Sequence, residues 1–111
     1  MEKFFALYMA PVAEMEKMMA NTSPEEMQKG MDEWSAWMES KKDSIVDMGA
    51  PLGKTKRVTV DGIEDVKNEV GGYTIVQADS HQEAAELLQD GPHFAIPGAY
   101  IDVIKIMPME M

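Results

Sequence analysis

The sequence contains two capping boxes, and these divide the 111-residue chain into segments that only a few folds can accommodate. Ser23-Pro24-Glu25-Glu26 and Ser80-His81-Gln82-Glu83 each place a serine at a helix N-cap and a glutamate three residues later. In the first box a proline also occupies the first helical position, where its fixed φ favours the helix. The chain therefore has two well-marked helices, and the remaining apolar runs are left to form strands.

The first helix is predicted to be long. Apolar residues recur at helical spacing from Met27 to Met48, and Gly49 is a typical end. The second helix is short and is predicted to stop at Gly91-Pro92. The methionine-rich segment Val12 to Ala20 is predicted to be a short helix or an ordered loop.

Four strands are predicted around the two helices, at Lys3–Met9, Lys56–Val60, Tyr73–Ala78 and Ala99–Met107, with a turn at Asp61-Gly62. The resulting order is strand, helix, strand, strand, helix, strand. This order is typical of an α+β, ferredoxin-like βαββαβ fold with a four-stranded antiparallel sheet and both helices on one face. At this length we expect one domain spanning 1–111.

The face of the sheet away from the helices predicts a homodimer. The first and last strands carry apolar side chains at both odd and even positions, and therefore on both faces of the sheet. The face away from the helices is thus not suited to contact with water. Packing two such faces together gives a dimeric α/β barrel.

Composition excludes several classes of function. The net charge of −10 argues against nucleic acid as a partner. No run approaches the roughly 20 apolar residues of a membrane helix, so no membrane is expected as a partner. The absence of cysteine removes disulfides and thiolate sites and fits a cytoplasmic protein. The two histidines are twelve residues apart without a supporting acidic pattern, so neither a metal nor a cofactor is expected.

Several segments resemble the YCII-related family, which includes the DGPF-domain proteins. The likeness is carried by 70–80, by Gly91-Pro92-His93-Phe94 and by Gly98 to Val103, with support from 23–27 and 53–62. The resemblance implies a dimeric α/β barrel, and a histidine–aspartate pair in the cleft of relatives suggests an enzyme-like site. The chain departs from the pattern because its first helix contains no histidine, and Asp61-Gly62 is all that remains of the DGPF signature.

Asp102 and His93 are the candidate catalytic residues. Asp102 shares its strand parity with Tyr100 and Ile104, so it is either paired and desolvated or lines a cavity. A structural hydrogen bond or an ion pair at a strand end is the alternative. His93 follows the second helix, and imidazole titrates near neutrality, so it is a candidate acid–base partner. A loop histidine bonded to backbone is the alternative for His93.

Five residues are candidates for ligand binding, on the premise of an apolar cleft between helix and sheet: Tyr8, Trp34, Met38, Tyr73 and Tyr100. Trp34 and Met38 belong to a stripe at helical spacing, and such stripes also serve as ordinary core.

Three classes of function follow. The leading hypothesis is a homodimeric barrel of the YCII-related type that binds a small, partly apolar molecule in the helix–sheet cleft. The second is a dimeric-barrel enzyme, using either acid–base chemistry through His93 and Asp102 or cofactor-free oxygenation. The third is a structural or partner-binding module without a ligand. An enzyme is expected to hold His93 and Asp102 within hydrogen-bonding reach around a cavity.

Overall fold

The computed structural model of the protein describes residues 1–109. It contains six strands and three α-helices in this order: β1 (Glu2–Met9), α1 (Val12–Asn21), α2 (Pro24–Ser40), β2 (Ile45–Pro51), β3 (Thr55–Thr59), β4 (Gly62–Val66), β5 (Val70–Ala78), α3 (His81–Leu88) and β6 (Tyr100–Lys105). Short 3-10 turns precede β2 at Lys42–Ser44 and follow α3 at Pro92–Ala95.

The main sheet has four strands in the order β2-β5-β1-β6, and every neighbouring pair is antiparallel. The two central strands, β1 and β5, are therefore the first and third strands of the sheet along the chain. This arrangement confirms the predicted α+β, ferredoxin-like fold.

One face of the sheet packs against α2 and α3. Alternate residues of β1 point to that face, so Phe4, Ala6 and Tyr8 are buried while their neighbours are only partly covered. Val76 of β5 joins them, and Trp37 of α2 and Leu88 of α3 close the core from the helix side. The period-2 pattern of the strands thus places the core on a single side of the sheet.

The opposite face, here called the open face, carries side chains of β1 and β5 that are only partly covered. Phe5 of β1 pairs with Ile75 on one side and with Ile104 on the other, which makes an apolar row across three strands. Ile104 is 48% exposed. The sequence-based expectation that this face carries apolar side chains is confirmed.

The prediction that the first long helix extends to Met48 is wrong. The helix ends at Ser40, and Ile45 begins β2, which pairs with β5. Polar residues occupy 39–44 between the two segments, so the apolar spacing is interrupted where the chain turns. Gly49 has a φ of +74° within β2, and a Cβ there would overlap the carbonyl oxygen of Tyr73. This glycine allows close approach of two strands instead of ending a helix.

The prediction that Lys56–Val60 is the second strand of the main sheet is also wrong. β3 pairs only with β4, and the two form a separate hairpin. The predicted turn lies at this position, because Gly62 with a φ of +149° begins β4 directly after Val60 and Asp61. The segment before Val70, where the sequence predicts no strand, supplies β4. The segment 12–20, predicted to be either a short helix or an ordered loop, is helical.

Candidate functional site

Tyr8 is the centre of a polar and aromatic cluster on the helix side of the sheet. Its hydroxyl donates a hydrogen bond to Thr74 Oγ1 at 2.7 Å, and the Thr74 hydroxyl donates to the carbonyl oxygen of Met48 at 3.1 Å. Burial raises the pKa of Tyr8, and this effect outweighs the hydrogen bond with Thr74, which lowers it. The chain of hydrogen bonds satisfies both buried hydroxyls and ties β1 to β5 and β2.

His93 is buried in the turn after α3, beside Tyr8. Its Nε2 lies 2.8 Å from the carbonyl oxygen of Met9, and the two rings of Tyr8 and His93 have centroids 5.2 Å apart. A carbonyl oxygen can only accept, so Nε2 carries a proton and donates it to this bond. His93 therefore links the turn to β1 by a hydrogen bond to backbone, which is the alternative that the sequence left open for this residue.

The rings of α2 fill the space above Tyr8. Trp34 meets Tyr8 edge-on at 5.0 Å and meets Trp37 edge-on at 5.9 Å. The indole Nε1 of Trp37 donates to Asp90 Oδ1 at 3.0 Å, and Met38 packs against the core. Tyr8, Trp34 and Met38, all predicted ligand-binding residues, thus lie on the same side of the sheet as His93.

The other predicted site residues lie on the open face. Asp102 stands directly opposite Leu7 in the β1–β6 pair, and Leu7 stands opposite Tyr73 in the β1–β5 pair. Tyr73 packs on Phe5 with ring centroids 5.4 Å apart. Tyr100 donates from its hydroxyl to Glu69, and this hydrogen bond to a carboxylate raises the pKa of Tyr100.

The structure separates the two candidate catalytic residues within one chain. Asp102 is exposed on the open face, whereas His93 is buried on the helix face and is bonded to backbone. The sheet lies between them. One subunit alone thus does not form the expected histidine–aspartate pair.

A groove lies between α3 and β6. It has a volume of about 240 Å³ and an apolar floor and wall with three polar side chains among its lining residues. The lining consists of Gln82, Ala85, Glu86, Leu88, Gln89, Phe94, Ile101 and Val103. Sequence reasoning missed this groove.

Within residues 1–109, no group of three or more histidine and acidic side chains is placed to hold a metal ion. His81 lies at the start of α3, with Nε2 2.7 Å from the carbonyl oxygen of Val103 and its ring 5.1 Å from that of Phe4. No helix within the same range is long and apolar enough to cross a membrane.

Comparisons with known proteins show a likeness of fold. No family model matches the chain, and no curated protein matches it in sequence. One similar solved structure is 5-chloro-2-hydroxyhydroquinone dehydrochlorinase (TftG) from Burkholderia phenoliruptrix, in complex with 2,5-dihydroxybenzoquinone. The two chains are 16% identical, the match covers 90% of each, and the TM-score is 0.51.

Proposed function

We propose that this chain is a homodimeric α/β-barrel protein of the YCII-related type that binds a small, partly apolar molecule in the groove between α3 and β6. The groove is the observation that carries the proposal. Leu88, Ile101 and Val103 are among its apolar lining residues, and Gln82, Glu86 and Gln89 supply a few polar groups. Ligand sites are typically apolar with a small number of polar groups that fix orientation.

The size of the groove limits the ligand. About 240 Å³ is below the roughly 300–1,000 Å³ of sites for drug-sized molecules, so a single ring with polar substituents fits best. Phe94 is 45% exposed at the side of the groove, where a flat molecule can stack on its ring. The dehydrochlorinase of similar fold binds a ligand of this kind, a dihydroxylated benzoquinone. Hydroxylated aromatic and quinone rings are therefore the proposed ligand class.

The surface area of the chain supports a homodimer. The chain exposes 8019 Å², whereas a compact monomer of 12.4 kDa exposes about 6,100 Å². The excess of about 1,900 Å² is as large as one partner's share of an extensive obligate interface. The open face supplies apolar side chains for such an interface, and its packing against a second open face closes the proposed barrel.

Binding is favoured over catalysis because His93 and Asp102 are not within reach of each other in one chain. The enzymatic hypothesis, with these residues as acid and base, stays a prediction, and so does cofactor-free oxygenation. The roles of Tyr73 and Tyr100 in ligand contact require the open face to be closed by a partner. The single-domain organisation and the cytoplasmic location also stay predictions.

The experiment that tests this function uses 2,5-dihydroxybenzoquinone as the probe and isothermal titration calorimetry as the measurement. Ala85→Trp places a large side chain in the groove from an exposed position of α3. Ala36→Trp is the matched control, since Ala36 is an exposed position of α2 outside the groove. We expect binding to the native chain and to Ala36→Trp, and loss of binding in Ala85→Trp with the fold retained. Equal binding by both variants would place the ligand elsewhere, and no binding by the native chain would reject this ligand class.

A further inference from the structure

We propose that the β3–β4 hairpin is an arm that packs against a second copy of this chain. The inference rests on the proposed homodimer and adds a second contact surface to it. The hairpin, residues 55–66, continues the β2–β5 ribbon past the end of the main sheet, since Leu52 still donates to the carbonyl of Gly71 before β3 begins. With five residues in each strand, the arm extends by about 16 Å.

The arm is not packed on its own subunit. Every residue of β3 and β4 is exposed except Thr55 and Val66 at the base, and the strands pair only with each other. The shape of the molecule agrees, because its radius of gyration is 15.5 Å where a compact domain of this length has about 13 Å. Two strands alone stabilise each other only marginally in water, so packing on a second surface would add to the stability of this hairpin.

The arm presents aliphatic side chains that its own subunit does not cover. Val58 and Ile63 form a cross-strand pair on one face and are 74% and 69% exposed. Val60 stands in the turn at the tip and is 100% exposed. Turn positions favour glycine, asparagine, aspartate and serine, so a valine there has no local structural reason. These three residues make an apolar tip suited to a hydrophobic contact.

Charge favours a second copy over a foreign partner. The segment 54–66 has no net charge, because its three basic residues are matched by three acidic ones: Lys54, Lys56, Arg57, Asp61, Glu64 and Asp65. The rest of the chain therefore carries the whole net charge of −10. Two copies repel each other through their acidic surfaces, and a neutral arm can approach without that cost. A basic foreign protein would be drawn to the acidic surfaces instead. The lysine–aspartate pair between residues 56 and 65, at 2.7 Å, keeps the stem neutral up to the apolar tip.

The arm also contributes to the area that a stable dimer needs. The excess exposed surface of about 1,900 Å² exceeds the roughly 800 Å² per partner of a standard interface. The open face and the arm belong to one continuous ribbon, since β5 lies in the main sheet and follows directly from β4. A partner seated on the open face is therefore within reach of the arm.

The test compares two arm variants with a matched control by light scattering and amide hydrogen exchange. Val58→Ser with Ile63→Ser removes the apolar pair, and Val60→Asp places a charge at the tip. The control is Met27→Ser with Met31→Ser, two exposed apolar residues of α2, on the other side of the sheet from the open face. We expect both arm variants to weaken the dimer by at least about tenfold, or 1.4 kcal/mol, and the control to leave it unchanged.

Hydrogen exchange distinguishes packing of the arm on the partner from dimerisation through the open face. We expect the amides of 56–59 and 62–65 to be protected at concentrations where the native chain is dimeric and to exchange freely after dilution to monomer. The proposed contact of the arm would be overturned if both arm variants dimerised with native affinity and the arm exchanged equally in monomer and dimer. That outcome would leave the proposed homodimer intact. A native chain that stays monomeric at micromolar concentration would reject the homodimer and the arm together.

Discussion

The indole Nε1 of Trp37 donates a hydrogen bond of 3.0 Å to Asp90 Oδ1, and this contact joins the last turn of α2 to the segment just beyond α3. Trp37 is a buried core residue, while the Asp90 side chain is 65% exposed and also contacts Lys41 at 3.3 Å. The hydrogen bond from Trp37, followed by the contacts with Lys41, holds the pKa of Asp90 below its ordinary value. A solvent-facing carboxylate thus satisfies the polar atom of a core aromatic ring.

We expect Asp90→Ala to lower the free energy of unfolding by about 1 kcal/mol, because the Trp37 donor loses its acceptor. Asp90→Asn is the matched control, since its amide oxygen still accepts from Trp37. Because the pKa of Asp90 is lowered in the folded state, its contribution is present above the unfolded value and decreases as pH falls through the folded value. Urea unfolding followed by tryptophan fluorescence measures the loss. Equal stability of the native chain and Asp90→Ala at neutral pH would contradict the prediction.

We expect His93→Ala to cost about 2–3 kcal/mol of stability. The change removes a hydrogen bond to the carbonyl of Met9 and leaves a gap beside Tyr8. His93→Gln retains a donor of similar length and is expected to recover part of the loss. Denaturant unfolding gives the three free energies, and a fully stable His93→Ala would show that the histidine has no structural role.

We expect Ile104→Lys to weaken the homodimer strongly. Ile104 lies in the apolar row with Phe5 and Ile75, so a lysine there places a charge on a face that the proposed dimer buries. Met31→Lys introduces the same charge at an exposed position of α2 and serves as the control. Light scattering at micromolar concentration should find dimers of the native chain and of Met31→Lys, and monomers of Ile104→Lys. Dimers in all three samples would exclude the open face as the interface.

Sequence signals that depend only on neighbouring residues were sufficient to predict much of the fold. In both capping boxes the serine hydroxyl accepts from the backbone nitrogen of the glutamate three residues on, so both helices begin where the sequence predicts. Strand parity likewise placed Asp102 on the face opposite to Ile101, because alternation depends only on the chain itself.

Long-range pairing explains what sequence reasoning missed. Ile45 and Met48 fit the helical spacing of the preceding residues, but the pairing of β2 with β5 outweighs that local pattern. His93 bonds to Met9, 84 residues away, and no local pattern indicates such a partner. The groove is formed by α3, β6 and Phe94 together, so its lining exists only after the helix has packed on the edge of the sheet.

Tyr8 should make the stability of the protein depend on alkaline pH. Burial raises the pKa of its phenol above the ordinary value of 10.0, so the unfolded chain loses this proton at a lower pH than the folded chain does. Above pH 10 the folded state therefore holds more protons than the unfolded state, and the free energy of unfolding falls as pH rises. The stabilisation is fully present below pH 10 and is lost on passing through the raised value.

Tyr8→Phe tests this dependence. The substitution removes the hydrogen bond to Thr74 Oγ1, and we expect a loss of about 1 kcal/mol at neutral pH. It also removes the titrating group, so the decline of stability above pH 10 should be shallower in the variant than in the native chain. Thr74→Val is the control, because it removes the same hydrogen bond but keeps the titrating phenol of Tyr8, so the decline of stability above pH 10 should persist in it. Unfolding free energies measured at a series of pH values would give parallel curves for the native chain and Tyr8→Phe if the phenol of Tyr8 were free to ionise in the folded state.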